Sequence, residues 1–193
     1  MHKGYSLEDL LGSPEKVKII RFFINNSEAK YSVRDVSRFL RENISKARQA
    51  MNVLCEVRFL LLKKQSNGGV YFLNKSFLLR KELQALVLKA SPASFDFIKR
   101  ALERTRGVKL AVASGVLLGE ESSRADLLIV GDRLNKTQIS NLTARIEAEA
   151  GREILLAVFD TKEFYYRLNM YDKFLRDILE FRHEKLINKL RLD

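Results

Sequence analysis

Between residues 14 and 57, apolar side chains recur every three or four positions, the period of helices that bury one face. Ser13-Pro14-Glu15 supplies a capping hydroxyl, a proline where the first helical N–H needs no partner, and an acid at the positive helix end, so a helix begins there. Its body, VKIIRFFIN, is apolar nearly all round and belongs in a core, and Asn25-Asn26-Ser27 ends it. Ser32-Val33-Arg34-Asp35 has the spacing of a capping box and opens a second, short helix with Val33, Val36, Phe39 and Leu40 as its apolar stripe. After the polar turn Arg41-Glu42-Asn43, Ser45 is the expected cap of a third helix reaching about Val57, with Ala47, Met51, Leu54 and Val57 facing inward. FLLLKK and VYFLN then flank QSNGG, which predicts a hairpin turning at Asn67-Gly68.

Beyond the hairpin, SFLLRKELQALVLKA reads as a connecting helix capped by Ser76, and Ser91-Pro92 breaks the chain before the helical ASFDFIKRALERT. Strand-like and helical patterns then alternate: VKLAVAS, a loop, ADLLIV, a helix from about Lys136 to Ala150, EILLAVF, and the helical TKEFYYRLNMYDKFLRDILEF. KLINKL is the candidate for a short final strand. This alternation predicts a small α/β unit around one parallel or mixed sheet. The expected organisation is a helix-and-hairpin domain over residues 1–75, a connecting helix and linker over 76–92, and the α/β domain over 93–193.

With 193 residues, 46% of them hydrophobic, the chain can bury a core in each domain. No apolar run approaches the roughly 20 residues that span a bilayer, and MHKGYSLEDL lacks the apolar centre of a signal segment, so a cytoplasmic protein without membrane contact is expected. Cys55, the single cysteine, excludes an internal disulfide and lies beside an apolar stripe, as a small buried hydrophobe would. His2 and His183 have no soft ligand near them in sequence, which argues against a metal sensor, and no cofactor is expected.

Charge adds what the hydrophobic pattern omits. Of the formal net charge of +11, residues 1–90 contribute a surplus of nine, 17 Lys and Arg against 8 Asp and Glu. Residues 91–193 contribute two, 18 against 16. On the polar face of the third predicted helix, Ser45, Arg48, Gln49 and Asn52 follow the i, i+3, i+4, i+7 spacing, with Lys46 beside them. Arginine suits guanine and the amides suit adenine in a major groove, while a helix N-terminus and Ser45 can approach phosphate. An isolated helix with such a face is more often simply solvated. The context differs here, because a hairpin carrying Lys63 and Lys64 near its tip, with Lys75 beyond it, follows at once.

The order helix, helix, polar-faced helix, basic hairpin over roughly residues 10–75 resembles the winged helix-turn-helix of ArsR-like transcriptional regulators. That resemblance implies base readout by Arg48, Gln49 and Asn52, and phosphate contacts by Ser45, Lys46, Lys63, Lys64 and Asn67. The back half resembles a second family. SGVLLGE followed by SRADLLIVGD is similar to the minimal nucleotidyltransferase domain, whose pattern is G-S-x-x-x-G-E followed by S-D-x-D-L-L-V, over roughly residues 93–190.

In that family the two acids of D-x-D hold the divalent cation that nucleotidyl transfer requires. In this chain the two positions are Arg124 and Asp126, an i, i+2 pair that a strand would project from one face, so Arg124 is expected to pair with Asp126 and oppose a cation. Glu153 is the candidate for the family's third acid. Ser114-Gly115 reverses the family's Gly-Ser, and Val116, Leu117 and Leu118 make the loop apolar, leaving Gly119, Arg124 and backbone N–H groups as a candidate anion site.

The expected fold is therefore an α+β winged helix domain followed by a small α/β nucleotidyltransferase-like domain. The expected function is sequence-specific regulation on double-stranded DNA as a homodimer, the second domain being catalytically inactive and serving dimerisation, a protein partner or a small anionic ligand. The alternatives are an active nucleotidyltransferase that modifies a protein or RNA with the winged helix as substrate adaptor, and a protein-interaction module. Phe164, Tyr165, Tyr166, Tyr171, Phe174 and Phe181 are expected in a core or a dimer interface rather than as a base-stacking platform.

Overall fold

A computed structural model of the chain describes residues 7–66, 68–89, 95–120 and 123–192. It is a mixed α/β structure with two sheets, and it divides into two compact units, Met1–Pro92 with Glu147–Arg152, and Ala93–Ile146 with Glu153–Asp193. Among the described residues no helix is long and apolar enough to cross a membrane. Asn67, the Ser91-Pro92 break and His2 lie outside the described residues.

The first unit contains α1 (Leu7–Leu11), α2 (Pro14–Asn25), β1 (Tyr31–Ser32), α3 (Val33–Leu40), α4 (Ile44–Glu56), β2 (Leu60–Gln65), β3 (Gly68–Leu73) and α5 (Arg80–Lys89). Helix α2 starts where Ser13 Oγ accepts from Lys16 N–H, with Pro14 at the first helical position. Its Val17, Ile19, Phe22 and Phe23 are buried, and Phe22 packs on Tyr31 and Phe39 with ring centroids 4.7 and 5.2 Å apart. The capping box at α3 forms in full: Ser32 Oγ accepts from Asp35 N–H, and the Asp35 carboxylate accepts from Ser32 N–H.

Helix α4 departs from expectation at both ends. Its cap is Asn43, whose Oδ1 accepts from the N–H groups of Ser45 and Lys46 at 2.8 and 3.4 Å. Ser45 therefore lies inside the first turn and is exposed. The buried stripe is Ala47, Ala50, Met51 and Leu54; Val57 is the C-cap and is exposed, because the chain turns at Arg58 (φ 59°) to send Phe59 inward instead. Cys55 is half-buried at the edge of this core, and burial pushes its thiol above the ordinary value.

Strands β2 and β3 pair antiparallel from Leu60↔Leu73 to Gln65↔Gly68, which leaves a two-residue connection, and Gly68, at φ +114°, begins the return strand. β1 adds to β3 through Tyr31↔Tyr71, giving the order β1-β3-β2. Helix α5 begins at Arg80, and Ser76 is not its cap. Asn74 holds the intervening turn, donating to Arg58 O and accepting from Ser76 N–H, which keeps the segment after β3 out of helical register.

In the second unit, α6 (Phe95–Glu103), β4 (Val108–Ala113), a 3₁₀ turn (Gly115–Leu118), β5 (Leu127–Gly131), α7 (Lys136–Ala150), β6 (Leu156–Phe159), α8 (Thr161–Asn169), α9 (Lys173–Glu180) and β7 (Glu184–Asn188) follow in order. The sheet is mixed, in the order β6-β5-β4-β7, with only the β5–β6 pair parallel. Side-chain alternation divides two hydrophobic layers. Ala111, Ala113, Leu127 and Ile129 pack with Ile98 and Leu102 of α6 and Ile139, Leu142 and Ile146 of α7. Leu110, Val112, Leu128 and Val130 pack with Phe164 of α8 and Leu175 and Ile178 of α9.

The helical segment expected after β6 forms two helices, each started by an aspartate cap, Asp160 and Asp172, with the chain turning at Tyr171 (φ 51°). Of the aromatics there, Phe164 is buried and Phe174 packs against the core, whereas Tyr165, Tyr166, Tyr171 and Phe181 are exposed.

Candidate functional site

The exposed face of α4 follows from its cap. Asn43 fixes the helical phase, the small and apolar Ala47, Ala50, Met51 and Leu54 turn inward, and Ser45, Lys46, Arg48, Gln49 and Asn52 remain on solvent. Arg48 and Gln49 have no hydrogen-bond or ion partner among the described residues. Lys46 Nζ lies 3.1 Å from Glu15 Oε1. Glu15 is held below the ordinary carboxyl range first by a backbone hydrogen bond and then by Lys46. Such exposed pairs are worth about 1 kcal/mol or less, so Lys46 can exchange Glu15 for another anion at small cost. Asn52 Oδ1 accepts from the buried Tyr71 hydroxyl at 3.2 Å, which orients its amide and leaves the NH₂ group without a hydrogen-bond partner among the described residues. Ser13, Glu15, Lys16, Lys46 and Gln49 line a shallow cleft of about 280 Å³ between the start of α2 and α4.

Lys63 and Lys64 are both exposed on β2, opposite Val70 and Gly69. Consecutive strand residues point to opposite faces, so the two ammonium groups do not form one contact surface. Lys64 shares the face of Leu60 and Leu62, and Lys63 that of Leu61 and Gln65. Lys75, beyond the hairpin, pairs with Glu28 at 2.6 Å. Asn67, assigned a phosphate contact from sequence, lies outside the described residues. Arg34, Arg38 and Arg41, in α3 and at its C-cap, form a further exposed cationic row that the hydrophobic pattern and the motifs did not single out. Their i, i+4, i+7 spacing was the available signal.

The predicted phosphate loop of the second unit is a closed hydrogen-bond knot. Asp126 is only 4% exposed; its Oδ1 accepts from Val116 N–H at 2.9 Å and its Oδ2 from Leu155 N–H at 2.8 Å. The Asp126 backbone adds two more bonds, its N–H donating to Leu155 O and its C=O accepting from Ser114 N–H. Ser114, 1% exposed, donates its hydroxyl to Ala125 O at 2.6 Å, and Ser123 donates to the same carbonyl at 2.7 Å. Gly115 is required in this knot: it sits at φ +55°, and a Cβ there would lie 2.2 Å from Asp126 Oδ1. The N–H groups of Leu117, Gly119 and Glu120 are also taken, by Ser114 O, Val116 O and Gly115 O. The amides of Val116, Leu117, Gly119 and Glu120 are thus occupied from within rather than open to an anion.

Arg124 does not pair with Asp126. Its Nε donates to Asp177 Oδ2 of α9 at 2.9 Å, on the surface. A strand through both residues would have aligned their side chains, but β5 begins only at Leu127, so the two are free to diverge. Glu153 precedes β6 by three residues and is exposed, and the residue bonded to Asp126 is Leu155. Among the described residues no cluster of three or more His, Cys, Asp or Glu is placed to hold a metal ion. Because both Asp126 oxygens already accept backbone hydrogen bonds and a cation stands two residues away, this site does not fit the divalent metal and triphosphate that the nucleotidyltransferase resemblance implies. No protein-family model, curated protein or solved structure matches the chain.

Proposed function

We propose that the chain is a sequence-specific DNA-binding regulator, acting in the cytoplasm, whose first unit is a winged helix with α4 as its reading helix. The order α2, β1, α3, α4, β2, β3, with β1 joined to the hairpin, supports that reading. The observation that carries it is the pair Arg48 and Gln49, exposed on α4 without hydrogen-bond or ion partners among the described residues, beside an oriented Asn52. A guanidinium and two amides in one helical row match the donor and acceptor edges of guanine and adenine. Lys46, Lys63 or Lys64, and the Arg34, Arg38, Arg41 row supply the phosphate contacts, consistent with the surplus of nine positive charges in residues 1–90. The test is selection of a preferred duplex from a random library, followed by anisotropy titration. Arg48→Ala with Gln49→Ala is expected to weaken the preferred site tenfold or more, about 1–3 kcal/mol for each bidentate pair removed, and to change random duplex little. Equal binding of all sequences by the unaltered chain would refute base readout.

The second unit is proposed to be non-catalytic and to hold two copies together on a two-fold site. Support for inactivity is the commitment of Asp126 to two backbone amides. Incubation with labelled nucleoside triphosphates and Mg²⁺ or Mn²⁺ is expected to give no transfer to protein or RNA; transfer would instead favour the enzyme reading. Support for self-association is the exposure of Tyr166, Met170 and Tyr171 around the end of α8. Mass measurement in solution is expected to give a dimer that Tyr166→Ser with Tyr171→Ser dissociates, and a monomeric unaltered chain would remove this part of the reading.

A further inference from the structure

The two ends of the second sheet differ in how their cations are partnered. At one end of the sheet the start of β4 meets the ends of β5 and β7: Asp132 N–H donates to Gly107 O, and Lys189 N–H donates to Lys109 O. Arg106, Lys109, Arg133 and Lys189 therefore converge on one junction, and Lys136 begins α7 three residues after Arg133. Asp132, Asp160 and Glu163 stand at this end and are engaged, Glu163 by Arg167. Asp132 takes Lys109 Nζ at 2.6 Å and Thr161 N–H at 3.0 Å, and Asp160 caps α8 by accepting from Glu163 N–H. Arg106, Arg133 and Lys136 are exposed and have no acidic partner among the described residues. The other end of the sheet, where β5 and β7 begin, carries cations as well, but there they are paired: Arg124 with Asp177, Arg176 with Glu180 and Arg182 with Glu120.

Residues 91–193 have a surplus of only two positive charges, so leaving Arg106, Arg133 and Lys136 without acidic partners while Arg124, Arg176 and Arg182 are paired is an arrangement that solubility alone does not require. Adjacent strand ends lie about 4.8 Å apart, so three of them spread the cations over roughly 10 Å, comparable with the screening length of ~8 Å at physiological salt. Their fields therefore add. Arg133 is moreover held at φ +53°, in the left-handed region where glycine or asparagine is less strained. A long cation thus occupies a position that local backbone preference would give to a small residue.

We propose that this end of the second unit is a nucleic-acid backbone grip, a sequence-independent surface in which Arg106, Arg133 and Lys136 contact the phosphates of duplex DNA. It rests on the nucleic-acid reading above and requires no base readout by α4. It also makes the second unit a contributor to affinity, in addition to any role in holding copies together.

The test uses the full chain, a random-sequence duplex of roughly 30 base pairs, about three helical turns, and anisotropy titrations across a salt series. The triple variant Arg106→Gln, Arg133→Gln, Lys136→Gln leaves Lys109 and Asp132 intact, and a circular-dichroism melt verifies that it folds. Every phosphate released from a cation lowers the slope of log K against log salt by about 0.9, so the slope is expected to fall by about 2–3 with weaker binding of every sequence. An unchanged slope in the folded triple variant overturns the inference. If the unaltered chain binds, the triple variant loses affinity and the Arg48, Gln49 double variant behaves as the unaltered chain, the backbone grip stands and base readout by α4 fails. If the unaltered chain binds no duplex at low salt, both fail.

Discussion

Asp126 decides how the second unit is read, because what its two oxygens accept determines whether they can also bind a metal. Asp126→Ala removes a buried acceptor from Val116 and Leu155 N–H, and is expected to destabilise the second unit by about 2–4 kcal/mol in chemical denaturation. Asp126→Asn should be no milder, since an amide NH₂ would face one of two N–H donors. Arg124→Ala, which breaks an exposed pair with Asp177, should cost about 1 kcal/mol or less. Asp132 gives a pH signature: its carboxyl is lowered to about 2, first by the hydrogen bond from Lys109 and then by those from Thr161. A folded value below the unfolded one stabilises the fold above the ordinary carboxyl range and loses that stabilisation as pH falls through about 2. Lys109→Met should raise the Asp132 midpoint in an NMR titration; an unmoved midpoint would assign the shift to Thr161 instead. At this scale the sequence was legible in composition and misleading in geometry. Ser-Gly, Arg124 and Asp126 stood out by residue type, but an i, i+2 spacing puts side chains on one face only within a strand, and β5 starts at Leu127, beyond both residues.

Helix starts were legible wherever the cap and the first buried residue agreed. Ser13-Pro14-Glu15 and the Ser32, Asp35 box formed as the pattern predicts. At α4 two good caps, Asn43 and Ser45, stood two residues apart, and only tertiary packing of Ala47, Ala50 and Met51 chose between them. Asn43→Ala is therefore expected to lower stability by about 1 kcal/mol, and Ser45→Ala by less than half of that, in parallel thermal melts; the reverse order would relocate the helix start. Ser76 failed as a cap for a related reason, since Asn74 closes a turn before the helix can begin. The hairpin was legible from its two apolar runs and the turn residues between them, whereas the opposed faces of Lys63 and Lys64 emerge only once both residues are placed within one strand. Only one of them is expected to contribute to duplex binding, so charge reversal at each in turn should weaken binding unequally in the same titration.

Across the molecule, hydrophobic period distinguished a helix-and-hairpin unit from an alternating α/β unit, because those periods arise from which faces each element buries. Surface organisation was less visible. The cluster of exposed cations at one end of the second sheet depends on strand order and direction, which bring Arg106, Arg133 and Lys189 together from distant positions. Both units are thereby proposed as polyanion-binding surfaces on a scaffold without transfer chemistry. The most direct test is equilibrium binding of the full chain to duplex DNA across a salt series. Affinity should fall steeply and linearly on log scales as salt rises, with Arg48→Ala/Gln49→Ala selectively losing the preferred sequence. Absence of salt-sensitive duplex binding by the unaltered, folded chain would contradict that proposal.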